Sequence, residues 1–293
     1  MTTAPMARIR PSALLTAPPS PPKRPAEAID RYELYELCVQ TPHVMVRMLE
    51  SMHGRKPRIF REDFSGAAAN CRAWVQRAKP GSPRRAIAVD LDPEPLARLA
   101  GFANIKTVRA DVRRAPDRAD IIAALNFPLG YFFKRSELVA YLRACRRRLL
   151  PRGMFVADIY GGRTAFSLLT ASAQFQLPDG TPVRYSWEHR EADPTTARVV
   201  DVIHFRVGSG RSARWIRDAF VYEWRLWSIP ELADAYREAG FDQIDVYEQT
   251  VVSVDAAGTL HCAPIRPGDD MPDNYVAYVV GRAQRPRRSS GKP

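Results

Sequence analysis

Arg58-Ile59-Phe60-Arg61-Glu62-Asp63-Phe64-Ser65-Gly66-Ala67-Ala68, Ala86-Ile87-Ala88-Val89-Asp90-Leu91-Asp92-Pro93-Glu94 and Val108-Arg109-Ala110-Asp111-Val112 are the segments whose reading decides the fold. Each is a short apolar run that ends in an acid, and helix-like stretches separate them. An open parallel sheet places carboxylates in this way, at the carboxyl ends of adjacent strands, where a nucleoside binds.

Reading outward, strands are expected at 58–63, 86–90 and 105–110. A fourth is Asp120-Ile121-Ile122-Ala123-Ala124-Leu125, continuously apolar as befits a strand buried on both faces. A fifth spans 154–160, after a helix at 136–149 that Pro151-Arg152-Gly153 breaks. Asp30 is placed to cap a first helix, a second covers 43–53, and Ser228-Ile229-Pro230-Glu231 starts another that stops at Gly240. From 182 to 226 the period changes to two, with turns at Asp193-Pro194-Thr195-Thr196 and Gly208-Ser209-Gly210. This reads as a three-stranded antiparallel meander. Strands at 242–248 and 275–281 close the domain. The pattern predicts an α/β fold: a doubly wound, mostly parallel seven-stranded sheet with an antiparallel β-meander insert after strand five.

The 293 residues carry a formal charge of +12. Much of it lies at the ends: Arg8, Arg10, Lys23 and Arg24 against Glu27, and Arg282, Arg285, Arg287, Arg288 and Lys292 with no acid. Residues 1–27, Pro- and Ala-rich, and 284–293 read as disordered basic tails around a domain at 28–283, with the insert at 163–226. Such tails can attract nucleic acid nonspecifically, a partner the sequence does not favour over a small molecule. No apolar run is long enough for a membrane span, and the N-terminal segment lacks the apolar core of a secretory signal. The four cysteines have no metal-ligand spacing, which argues against a metal site and for a reducing, cytoplasmic setting. Nothing in the sequence marks an oligomeric state.

The strand-end segments resemble the class I S-adenosylmethionine (SAM)-dependent methyltransferases, of Rossmann-like fold, over roughly residues 29–283. The family's first motif, an acidic strand end and a glycine-rich turn, corresponds to Glu62 through Ala68, with Phe64 and Ala68 standing where glycines are usual. Gly66, the glycine retained, is where backbone must approach the cofactor. The resemblance implies SAM as cofactor and assigns Ser65 and Gly66 to it, together with Glu62 or Asp63. It further implies that Asp90 grips both ribose hydroxyls, with Leu91 beside it. Asp111 takes the adenine amino group, and Val112 donates its N–H. Asn126, after strand four, touches cofactor or substrate. Arg61 either pairs with Glu62 or Asp63 or binds the SAM carboxylate, and Tyr32, with Tyr35, folds over the cofactor. Asp92 reads as a helix cap.

The insert is expected as lid and substrate wall. Tyr185, Trp187, Arg214, Tyr222 and Trp224 are its candidate substrate contacts, and His204 and Tyr160 the candidate proton acceptors. The leading expectation is methyl transfer to nitrogen or oxygen of a small-molecule acceptor. An RNA or protein methyltransferase docking through its tails, and a SAM-binding protein without catalysis, are the alternatives.

Overall fold

The computed structural model describes residues 29–249, 253–255 and 260–282; both expected tails lie outside them. The chain divides into two compact units.

The larger unit comprises Pro42–Gly161 and the residues from Trp227 on. Its strands are β1 (Ile59–Asp63), β2 (Arg85–Asp90), β3 (Ile105–Arg109), β4 (Ala119–Ala124) and β5 (Leu149–Gly162). They form one sheet with two later strands, Gln243–Glu248 and Asn274–Arg282, in the order Gln243–Glu248, Asn274–Arg282, β5, β4, β1, β2, β3. β1 pairs in parallel with both β2 and β4, β2 with β3, and β4 with β5, whereas the last two strands pair antiparallel.

Two helical layers cover the sheet because its strands are apolar on both faces. Phe60, Ala88, Ile121, Ala123 and Val156 pack with Met48 and Leu49 of the helix Pro42–His53 and with Trp74 of the helix Ala69–Gln76. On the opposite face, Ile87, Val89, Ile122, Phe155 and Ala157 meet Tyr141 and Cys145 of the helix Arg135–Arg148, and Leu232 and Tyr236 of the helix Ile229–Glu238. A Ser228–Glu231 capping box fixes the start of that last helix. β5 begins five residues earlier than expected. Pro151-Arg152-Gly153 lies inside the strand, at a register shift against β4, and a Cβ on Gly153 would stand 2.8 Å from the Asp120 carbonyl oxygen.

The smaller unit comprises the described residues up to Thr41 and Gly162–Leu226. Its antiparallel sheet has four strands, β6 (Thr170–Gln176), β7 (Pro182–Asp193), β8 (Arg198–Val207) and β9 (Arg214–Arg225), in sequence order. The meander was expected to have three. β6, Thr-Ala-Ser-Ala-Gln-Phe-Gln, sets two alanines and a single phenylalanine against its polar residues, so its period has little contrast. The helix Arg31–Val39 packs here: Leu34 and Cys38 join Val183, Ile203, Phe205 and Val207 in one core. Asp30 caps that helix by accepting the Tyr32 and Glu33 N–H groups. Among the described residues no helix is long and apolar enough to cross a membrane.

Candidate functional site

Successive side chains of a strand point to opposite faces, and β1 ends in two acids, so these divide. Asp63 accepts Arg61 Nε at 2.6 Å and the Tyr141 hydroxyl at 2.9 Å, all three buried. The rest of the Arg61 guanidinium donates to the carbonyls of Val112, Ala115 and Asp117. Arg61 is therefore an internal strut satisfied by the protein, and the alternative of an arginine holding a ligand carboxylate is corrected. Asp63 is committed to the same network, beneath the helix Arg135–Arg148. Glu62 faces the other way. It accepts Asn70 Nδ2 at 2.6 Å and Cys71 Sγ at 3.5 Å, from the first turn of the helix that follows the β1 turn. Burial pushes its carboxyl up to about 7.

The turn after β1 keeps a glycine-like backbone at all three of its special positions. Phe64, Gly66 and Ala68 have φ of 56°, 52° and 52°, a left-handed conformation that costs a non-glycine residue about 1–2 kcal/mol. Phe64 is held by ring contacts with Tyr131, Phe132 and Tyr141. A Cβ on Gly66 would meet no atom of the described residues within 4 Å. The Ser65 hydroxyl is buried with no hydrogen-bond partner among the described residues.

Asp90, at the end of β2, accepts the Gly66 N–H on Oδ2 at 2.8 Å and the Asp92 N–H on Oδ1 at 3.0 Å. It thus ties the β1 turn to β2, and each carboxylate oxygen keeps a further acceptor site. Leu91 is 65% exposed, an unusual setting for leucine at a strand end. Asp92 caps the short helix Pro93–Leu96 through the Glu94 N–H. After β3, Asp111 is clamped by Arg113, whose guanidinium and N–H lower its carboxyl below the ordinary range. Val112 is buried, and its carbonyl accepts from Arg61 and Arg148.

Beyond β4, Asn126 and Phe127 are both left-handed, with φ of 69° and 68°. Their N–H groups donate to the two oxygens of Asp158, buried in β5, at 3.0 and 2.8 Å. Tyr160, two residues on, meets the Phe127 ring edge-on at 5.0 Å. Asp158 was missed by the sequence reading, although a carboxylate inside the apolar run of strand five was its signal.

The remaining candidates lie in the smaller unit. Tyr32 packs against Phe220 and accepts Arg31 Nη2 at 3.1 Å. Tyr185 packs with Phe175 and Phe205, and Arg214 donates to the Ile29 carbonyl. Trp187, Tyr222 and Trp224 form a continuous ring cluster, Tyr222 stacking on Trp224 at 4.5 Å. His204 pairs across the strands with Ser186, so it faces away from Tyr185 and Trp187. Its Nδ1 accepts the Asp218 N–H at 3.0 Å, which leaves the proton on Nε2, 2.8 Å from Glu188 Oε2. Both ring nitrogens are engaged, and the expectation of His204 as a proton acceptor is corrected on that ground. Among the described residues no group of three or more His, Cys, Asp or Glu gathers as for a metal ion.

No protein-family model matches the chain, and neither does any curated protein. Solved structures do. An S-adenosylmethionine-dependent methyltransferase from Clostridium acetobutylicum aligns with 85% of this chain and 96% of its own, at TM-score 0.57 and 15% identity. The chain has the fold of the SAM-dependent methyltransferases. The sugar N-methyltransferase KedS8 from Streptoalloteichus is similar over 93% of this chain and 100% of its own, at TM-score 0.60 and 15% identity. The SAM-bound amino pentose methyltransferase CalS10 from Micromonospora echinaspora is similar over 85% and 97%, at TM-score 0.58 and 15% identity. In a fold so arranged, the larger unit brings Glu62, Ser65, Gly66, Asp90, Leu91, Asp111, Val112 and Asn126 to the strand ends that bind ligands in open α/β sheets.

Proposed function

We propose that this chain is a SAM-dependent methyltransferase acting on a small-molecule acceptor. The observation that carries this reading is the β1 turn: a buried Ser65 hydroxyl with no partner among the described residues, beside Gly66, where a Cβ would meet none of their atoms, with Asp90 tied to the same turn. These residues fit a nucleoside cofactor. Asp90 offers its free acceptor sites to ribose hydroxyls through charge-assisted bonds. Leu91 supplies apolar surface for an adenine face, the Val112 N–H serves the adenine edge, and the Ser65 hydroxyl gains the partner it lacks. Asp111 accepts the adenine amino group where Arg113 leaves room. Bound SAM supplies an electrophilic methyl carbon on a sulfonium, already activated for displacement by a nucleophile.

The chain's own task is then to orient the acceptor and exclude water, effects worth on the order of 7–11 kcal/mol. With His204 engaged elsewhere, Tyr160 is the proposed proton acceptor, close to the end of β5. An acceptor amine is favoured over a hydroxyl because two proteins of similar fold are described as methyltransferases of sugar nitrogen or amino sugars. The test is release of S-adenosylhomocysteine (SAH) from SAM across a panel of amino sugars and their hydroxyl counterparts. Release that requires an amine supports the reading. Release with hydroxyl acceptors alone overturns the amine assignment, and SAH binding without release for any acceptor favours a non-catalytic SAM-binding protein.

A further inference from the structure

Asn126 and Phe127 are two successive non-glycine residues in the left-handed region, a conformation that persists only where surrounding structure enforces it. Asp158 is hydrogen-bonded to both. Its Oδ2 and Oδ1 each accept one of the two N–H groups, and the side chain is 5% exposed between Ala157 and Ile159. A carboxylate is a costly way to fill an apolar strand, so stability alone gives no reason for it. The segment it holds is linked to the β1 turn as well. Phe127 packs on Tyr160, and the turn Pro128–Tyr131 carries Tyr131 onto the ring of Phe64 at 6.1 Å.

We propose that Asp158 is a positioning residue of the candidate site: its carboxylate fixes the left-handed Asn126–Phe127 pair, and so sets the ligand-facing edge at the end of β4. The inference rests on the proposed SAM site. The ionised carboxylate accepts both N–H groups most strongly; protonation leaves the hydroxyl oxygen a weaker acceptor and adds a donor beside the two N–H groups. Burial pushes the Asp158 carboxyl up to about 6, and the N–H bonds from Phe127, Asn126 and its own backbone oppose that rise. Tyr236 on the neighbouring helix and Tyr275 on the last strand stay protonated, since burial raises both. Burial pushes Glu62 on β1 up to about 7, and the amide-exchange profile of Glu62→Gln, read without ligand, separates its titration from that of Asp158.

The experiment combines hydrogen exchange of residues 125–131 in the ligand-free protein with SAH titration, both between pH 5 and pH 8. Exchange is normalised to intrinsic rates. Wild-type protection of the Asn126 and Phe127 amides is expected to fall at least tenfold as pH drops through about 6, with SAH affinity following. In Asp158→Asn, protection is expected to be low and independent of pH, and SAH binding about tenfold weaker at pH 7.5. The wild-type profile decides the matter even where the variant fails to fold. Wild-type protection that does not change with pH overturns the claim that the Asp158 carboxylate holds the pair. Changed protection with unchanged SAH affinity overturns the positioning role. Failure of SAH to bind at any pH overturns the cofactor reading, and the exchange profile still decides whether Asp158 holds the segment.

Discussion

Ser65 shows how a single side chain separates a ligand role from a structural one. A buried hydroxyl without a partner is destabilising by about 1–3 kcal/mol. Ser65→Ala is therefore expected to raise ligand-free stability by about 1 kcal/mol in urea unfolding, and to weaken SAH by roughly threefold to tenfold. A loss of stability with unchanged affinity would make the hydroxyl structural. Leu91 gives a complementary case. It is exposed, so Leu91→Glu is expected to leave stability within about 0.5 kcal/mol while it removes the apolar surface for the adenine. Circular-dichroism melting alongside SAH titration checks both halves.

Elements differ in how plainly their residues announce them. β4 was legible because Ile121-Ile122-Ala123-Ala124 is apolar throughout, and the helix Ile229–Glu238 because Ser228 and Glu231 form its cap. β6 was not, since Ala171 and Ala173 give little contrast against Ser172 and Gln174. The acids at the ends of β1, β2 and β3 were visible from their spacing. That Asp63 rather than Glu62 joins the buried network depended on Arg61 and Tyr141, which come from one strand and a distant helix. His204 was misread for the same reason: Asp218, its partner, lies across a bulge in β9. The β1 turn carries its own test. Ala68 is buried at φ 52°, so Ala68→Gly relieves about 1–2 kcal/mol of backbone strain against up to about 1 kcal/mol of added chain entropy. Urea unfolding is expected to show a change between zero and a gain of about 1 kcal/mol. A loss above about 1.5 kcal/mol would mean that packing of the Ala68 methyl outweighs the strain.

At the scale of the whole molecule, buried carboxyls make stability depend on pH, Glu62 and Asp158 among them. Glu62 is raised from 4.5 to about 7 and Asp158 from 3.8 to about 6. The folded state holds these protons where the unfolded state has lost them, so their contribution is fully present below about pH 4 and disappears as pH rises through 6–7. Glu62→Gln is accordingly expected to gain about 1–3 kcal/mol on wild type between pH 4.5 and pH 8, measured as the difference in urea unfolding. Equal pH profiles for the two proteins would show that Glu62 titrates normally. On the proposed reading, the carboxyl ends of β1 and β2 form a SAM site. Calorimetric titration with SAH, on wild type and on Asp90→Ala shown by melting to be folded, tests it most directly. Micromolar binding, weakened at least tenfold by the substitution through loss of two charge-assisted hydrogen bonds, is the predicted result. Folded wild-type protein that does not bind SAH, or Asp90→Ala that binds it equally well, would contradict it.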